Sequence, residues 1–407
     1  MDKKALSGLN VVGFVTAGAG PMLVKSLATQ GANVIIVESG KRHNVTRSGG
    51  PFKDNIPGIN RSYSFAFVDS DKYSLCLDMK HPRAKEVIEP LVKWADVLAD
   101  NWRTGVMESW GLSYQEAKAI KEDIIMVGMT HAGRTGPHRR AAGMGIMQSA
   151  LSGLVVATGW PDRPPVTLGG LGILPDFIAP RFGVTAVLAA VDYRRRTGKG
   201  QFIDLSQYEA ALQFQIPALL DYTVNGTIQT RNGNKSQCAA PHGVYRCQGE
   251  DRWCAIAVFN ETDWEAFCRV IGNPAWTTEP DFASLTARQQ NEDRLNALIE
   301  TWTINHAAET IMAMMQESGV EAGVVRTIEE AIEHCPQLQH RHYWWRLEHP
   351  EIGESIYQGN SYLLSETPYR IERPAPCFGE HSEYVCTELL GIPDGQFAEL
   401  YREGVFE

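Results

Sequence analysis

Apolar positions near the start of the chain fall in short unbroken blocks, the signature of strands buried on both faces. Leu9 to Val15 is one block and Val34-Ile35-Ile36-Val37, closing on Glu38, is another. Between them Gly18-Ala19-Gly20-Pro21 opens a helix that carries Leu23, Leu27 and Ala28, and Gly31 ends it. A strand–helix–strand unit of this kind predicts a parallel sheet. The alternation continues with a helix over Pro82 to Trp94, a strand over Ala95 to Ala99 that leads to Asn101, a helix over Ser113 to Lys121 and a strand over Ile124 to Met129. Gly133 to Pro137 reads as a loop, and Met147 to Val156 as an apolar helix.

The richest segment runs from Gly169 to Glu209. Val184, Val187, Leu188 and Val191 recur at helical spacing, Pro180 suits the first turn, Arg194, Arg195 and Arg196 suit the last, and Gly198 supplies the stop. Asp176 sits where the glycine-rich turn gives way to this helix. A carboxylate there is expected to be held ionised by the free N–H groups and the helix dipole. It reads either as an N-cap or as a nucleophile, and the local pattern leaves both open.

After about residue 225 the pattern changes. Gly243 to Cys247 and Trp253 to Val258 are strands joined by Gln248-Gly249-Glu250-Asp251, a hairpin signal. Helices over Thr262 to Ile271, Arg288 to Asn305 and Ala308 to Ser318 and a strand over Val320 to Val325 complete a smaller α+β domain. From about Gln337 strand-like stretches around Tyr343 to Leu347 precede helices at Ser382 to Leu390 and Ile392 to Tyr401. The expected fold is α/β, with a Rossmann-like large domain over 1–224, an α+β domain over 225–330 and a C-terminal segment over 331–407.

The chain has 407 residues, which favours two domains. Its net charge of -10 argues against nucleic acid or an anionic membrane as main partner. The first residues, MDKKALSGLN, lack an apolar signal core, and no apolar run approaches a membrane span. The eight cysteines form no CxxC, so a reduced, cytoplasmic protein is expected. His334, His340 and His342 cluster without a Cys or carboxylate to complete a metal spacing, so no metal is expected. The first strand–helix–strand unit departs from the dinucleotide fingerprint GxGxxG, because Leu23 stands at the third glycine. Serine hydrolase chemistry lacks its G-x-S-x-G elbow.

Asp176, the small-residue helix, Arg196-Thr197-Gly198-Lys199-Gly200 and the strand Asp204-Leu205-Ser206 together resemble the signature of the family III CoA-transferases. The likeness continues in Ala19-Gly20-Pro21, Val37-Glu38, Lys72 with Leu77-Asp78, Asn101-Trp102-Arg103-Thr104-Gly105-Val106, Gly111-Leu112, Gly136-Pro137, Pro241-His242-Gly243-Val244-Tyr245 and Gly379-Glu380-His381. What the resemblance implies is a Rossmann-type domain that receives coenzyme A, acyl-CoA and carboxylate substrates, and Asp176 as covalent nucleophile. CoA would then pass from a donor such as succinyl-CoA to an organic acid through an aspartyl anhydride and an aspartyl-CoA thioester. Lys72 and Arg103 match positions near the CoA, Asn101 a polar residue of its cleft, and Arg42 the adenine or 3′-phosphate end. Gly169, Gly170 and Gly233 would supply backbone N–H groups to oxyanions. The family's open-ring subunits interlock as dimers, with the C-terminal segment returning to the large domain.

Three positions depart from the family: Ser109 where formyl-CoA transferase has Arg, Gly145 where many members are acidic, and Ser149 where many have Gln, with Gln148 adjacent. They leave room for a heteromer with a homologous subunit, as in the two-subunit benzylsuccinate CoA-transferase, and so for an aromatic dicarboxylate. The alternatives are a 2-methylacyl-CoA racemase, whose histidine is replaced here by Met144, and a supporting subunit without chemistry of its own, which the intact Asp176 argues against.

Overall fold

A computed structural model of the chain describes residues 4–167 and 174–407. It divides into two compact units. The larger holds residues up to 157, 166–229 and 337–407, and the smaller holds 158–165 and 230–336.

The larger unit is built on six parallel strands: β1 (Asn10–Phe14), β2 (Asn33–Glu38), β3 (Tyr73–Cys76), β4 (Val97–Asp100), β5 (Ile125–Thr130) and β6 (Phe202–Ser206). Their order is β3-β2-β1-β4-β5-β6, the doubly wound arrangement. The strands form because Val11, Val12, Val34, Ile35, Leu98, Ile125 and Val127 are apolar on both faces and both faces are covered. On one face α1 (Ala19–Thr29) and the long crossover helix α8 (Leu174–Thr197) pack Leu23, Leu27, Ala179 and Val187 onto Val11, Val34 and Val127. On the other, α4 (Lys85–Trp94) and α6 (Tyr114–Ile120) pack Val87, Leu91 and Ala117 onto Val12, Ile35 and Leu98.

The C-terminal segment completes both faces. Its hairpin, β10 (Trp344–His349) and β11 (Gly353–Gln358), buries Ile352 and Tyr357 in the first core, while Val385, Leu400 and Phe406 enter the second. The smaller unit is an antiparallel sheet, β7 (His242–Arg246), β8 (Trp253–Ala257) and β9 (Glu321–Val324), with helices whose Trp264, Phe267, Leu295 and Ile311 share a core with Tyr245 and Ile256.

Several elements differ from the sequence expectation. The helix carrying Asp176 is helical from Leu174, so Pro180 lies inside it, not in its first turn. Proline has no N–H to give the carbonyl four residues back, and that carbonyl belongs to Asp176. At 24 residues α8 is also long and apolar enough to cross a bilayer, against the expectation that no such run exists. It connects two adjacent parallel strands and buries its Ala179, Val187, Ala190 and Val191 in the protein core, which accounts for the apolar stretch. The helix expected over Arg288 to Asn305 breaks at Asn291, whose side chain donates to the Asp281 and Ala287 carbonyls. Residues 382 to 390 form one α-turn followed by a π-turn. Strand β3 and the helix α3 (Tyr63–Asp69) were not foreseen.

Candidate active site

Parallel strands deliver their C-terminal ends to one edge of a sheet, and the reversal between β1 and β4 opens a crevice there. Four of the six strand ends contribute to it. Thr16 and Ala17 follow β1, Asn101, Trp102 and Arg103 follow β4, Thr130 and His131 sit at the end of β5, and Gln207 follows β6. Asp176 enters from the first turn of α8. Together they line a cleft of about 710 Å³, within the range of small-molecule sites.

The walls are fixed from behind. Asn101 grips the backbone of Thr16 like a strand partner: its Oδ1 accepts the Thr16 N–H at 2.8 Å and its Nδ2 donates to the Thr16 carbonyl at 2.8 Å. Gly20 makes this fit possible, because a Cβ there would lie 2.6 Å from the Asn101 carboxamide. Asn44 Oδ1 accepts from the Ala17 N–H at 2.9 Å and from Thr16 Oγ1 at 3.1 Å. Ala17 has φ 58°, a left-handed residue that turns the chain from β1 toward α1.

The electrostatics of the cleft run opposite to those of the whole chain. Arg42, Arg103 and Arg139 line it, and Asp176 is its single carboxylate among the described residues. Arg42 lies 5.7 Å over the Trp102 ring. Six lining residues also carry buried polar atoms with no partner among the described residues: Thr46 Oγ1, Trp102 Nε1, Thr104 Oγ1, Thr130 Oγ1, His131 Nδ1 and Gln148 Oε1. Buried polar groups are ordinarily bonded, so this concentration fits a cleft that holds a large, polar, anionic ligand.

Asp176 differs electrostatically from the expectation. Burial pushes its pKa up to about 6, and the hydrogen bond from Gln207 Nε2 to Oδ1, 2.8 Å, offsets only part of the rise. Desolvation outweighs the helix start that was expected to keep it ionised. Gln207 is in turn held by Gln148, whose Nε2 donates to Gln207 Oε1 at 2.5 Å. Burial and the charge of His138 lower the His131 pKa. A Cβ at residue 143 would come within 2.6 Å of the His131 ring, so a side chain there would displace the imidazole.

A nucleophilic carboxylate must be ionised. If Asp176 attacks, kcat/KM is level above about pH 7 and falls about tenfold per pH unit below about 6, as the carboxylate takes its proton. A profile flat to pH 4.5 would contradict this.

Of the residues expected at the site, Asp176, Asn101, Arg103 and Arg42 come together in the cleft. Lys72 does not. It is 1% exposed, and its ammonium donates to Asp69 Oδ1 at 2.5 Å and to the Pro21 and Val68 carbonyls at 2.9 and 2.8 Å, so its charge is spent inside the fold. Gly169 and Gly170 lie outside the described residues. Gly233 belongs to the smaller unit, where it has φ 64° and donates its N–H to the Gly159 carbonyl at 2.9 Å. Glu38, at the acidic position of a dinucleotide fold, is consumed by Arg47 and Ser74 at 2.7 Å each, which leaves it no role toward a ribose. His131, Arg139 and Gln207 were missed. Gln207 directly follows the quoted Asp204-Leu205-Ser206 motif, but only the packing of α8 beside β6 reveals its partner.

A doubly wound sheet with an arginine-bearing crevice at its switch point and one half-buried carboxylate on that crevice has the form of an α/β enzyme for an anionic ligand. The chain belongs to CoA-transferase family III, whose sequence profile matches residues 6–382. Enzymes of this family use CoA thioesters as substrates. Among similar curated proteins, the succinyl-CoA–D-citramalate CoA-transferase of Chloroflexus aurantiacus is 31% identical over 95% of this chain and 94% of its own. The acetyl-CoA:oxalate CoA-transferase of Acetobacter aceti is 32% identical over 91% of this chain and 92% of its own. A CAIB/BAIF family protein from Brucella suis has a solved structure that superposes with a TM-score of 0.86 at 28% identity, covering 95% of this chain and 100% of that one.

Proposed function

We propose that this CoA-transferase carries CoA from succinyl-CoA to an organic dicarboxylate, with Asp176 as the covalent nucleophile. The observation that carries the reading is Asp176 itself: among the described residues it is the one carboxylate on a cleft that also presents three arginines and six unpaired polar atoms. The thioester carbonyl of the donor receives the Asp176 carboxylate, and CoA leaves as thiolate. The thiolate then attacks the aspartyl carbonyl, releases the donor acid and leaves an aspartyl-CoA thioester. The acceptor acid displaces CoA from Asp176 as a new anhydride, and the thiolate takes the acceptor's acyl group. Arg42 and Arg103 would meet the phosphates, while Arg139 remains for a substrate carboxylate. The succinyl and dicarboxylate chemistry draws on the relatives named for succinyl-CoA, citramalate and oxalate. Tyr63, Phe67 and Phe177 on the cleft wall favour an acceptor with an aryl group.

The test is a panel of labelled acids, run in D2O with succinyl-CoA and, separately, with a 2-methylacyl-CoA. CoA is expected on an added dicarboxylate only, with no deuterium at the α-carbon. Deuterium uptake without acceptor would favour the racemase. His131 is the observation that keeps the racemase in view, since it gives the cleft a titratable base that Met144 does not.

Assembly belongs to the same proposal. In helix α10 (Ile216–Asn225) no residue is buried, although Ile216, Leu219, Leu220, Tyr222 and Val224 are all apolar. An uncovered apolar helix of this size supports a second subunit, identical or homologous, lying on it. Light scattering at nanomolar concentration is expected to give twice the mass of the 45.1 kDa chain, and a folded monomer there would refute the dimer.

A further inference from the structure

We infer that the Gln207 carboxamide is the oxyanion donor for every step that passes through a tetrahedral carbon at Asp176. This rests on Asp176 being the nucleophile. Two buried amides have a fixed orientation beside Asp176. Gln207 is 7% exposed and Gln148 is 2% exposed. An ionised carboxylate can only accept, so the Gln207 group 2.8 Å from Asp176 Oδ1 is its NH2. Its Oε1 then faces Gln148, which donates at 2.5 Å and locks that orientation. The carboxylate thereby sets the polarity of the whole chain of amides.

Holding Oδ1 leaves Oδ2 to attack. In the first step a bond forms from Oδ2 to the donor carbonyl carbon, the C–S bond breaks, and CoA leaves with the electron pair. The new charge in that transition state lies on the donor's own oxygen, not on Oδ1. In the second step the thiolate adds to Cγ of Asp176, and the carbonyl electron pair moves onto Oδ1. That oxyanion appears on the atom to which Gln207 already donates. Collapse breaks Cγ–Oδ2 and releases the donor acid carrying Oδ2. When the acceptor carboxylate later displaces CoA from Cγ, the charge again falls on Oδ1. A donor positioned before the charge develops costs no reorganisation at the moment of reaction. The geometry therefore separates steps at Cγ, which need Gln207, from attack on the donor, which does not.

The experiment mixes enzyme with acyl-labelled succinyl-CoA in the absence of acceptor, quenches on the millisecond scale, and measures protein-bound acyl label and, by intact mass, protein-bound CoA. Wild type is expected to accumulate bound CoA. Gln207→Leu is expected to acylate within a few-fold of wild type, with KM for the donor little changed, but to form bound CoA about 100-fold or more slowly. Gln207→Met, unbranched and of similar length, gives the same comparison if the leucine variant fails to fold. Gln148→Leu, which keeps the donor and removes its latch, is expected to slow the same step about 3- to 10-fold, the loss of one supporting hydrogen bond. Bound CoA at the wild-type rate in the Gln207 variants would overturn the inference, as would equal loss of acyl label and bound CoA. Absence of both adducts in wild type would instead overturn the nucleophile on which it rests.

Discussion

Asp176→Asn is expected to leave a folded protein whose CoA transfer is lost by about a hundredfold to ten-thousandfold. The amide keeps an oxygen for Gln207 Nε2 but cannot form an anhydride. The same substitution should raise stability. A carboxyl group whose pKa climbs from 3.8 to about 6 on folding favours the protonated form in the native state. Its contribution is therefore most favourable below about pH 4 and is lost as pH rises through about 6. Above that range the ionised carboxylate costs the fold up to about 3 kcal/mol, less where solvent reaches it, and asparagine removes the cost. Higher thermal stability at pH 8 with no turnover is the combined signature. Normal turnover by the folded variant would remove Asp176 from the chemistry.

Arg47→Met is expected to cost the larger unit about 3–5 kcal/mol, the loss found when one partner of a buried ion pair is removed. Arg47 is 1% exposed. Its Nε and Nη2 meet the two Glu38 oxygens at 2.7 Å each, Nη2 also donates to the Pro376 carbonyl at 3.0 Å, and the guanidinium lies 3.4 Å over the Phe65 ring. Glu38 at the end of β2, the α3 helix and the C-terminal segment are thus tied through one side chain. Methionine fills much of the volume but strands the Glu38 charge. Adding Glu38→Gln should recover most of the loss, because the stranded charge is then gone. Denaturant unfolding of the two variants and the wild type reads both effects, and a loss below about 1 kcal/mol for Arg47→Met would contradict the account.

Strands β1, β2, β4 and β5 were legible because parallel strands covered on both faces must be continuously apolar. Strand β3 escaped because Ser74 interrupts it. That serine is satisfied in the core because Glu38 accepts its hydroxyl at 2.7 Å from the neighbouring strand and the Gly379 N–H donates to it at 2.9 Å, contacts no local pattern records. The start of α8 was placed too late because proline commonly opens a helix. Here Pro180 is tolerated inside one that begins at Leu174. Asp176, Arg42, Asn101 and Arg103 were legible by resemblance, as residues expected in a CoA cleft, and they do line one cleft. Lys72 was not placed correctly, since a lysine's charge says nothing about whether Asp69 will take it inward. The departure at Ser149 drew attention to Gln148 beside it. That Gln148 reaches Gln207, 59 positions away, depends on α7 (Gly145–Leu151) packing beside α9 (Gln207–Leu212), which only the fold brings about.

Whether CoA is carried covalently on Asp176 is read by peptide mass spectrometry after exposure to succinyl-CoA without acceptor. Covalent carriage gives a CoA thioester on the peptide containing Asp176, discharged when a dicarboxylate is added and absent from Asp176→Asn. Efficient transfer with the Asp176 peptide unmodified throughout, or with CoA attached to any other residue, would contradict it.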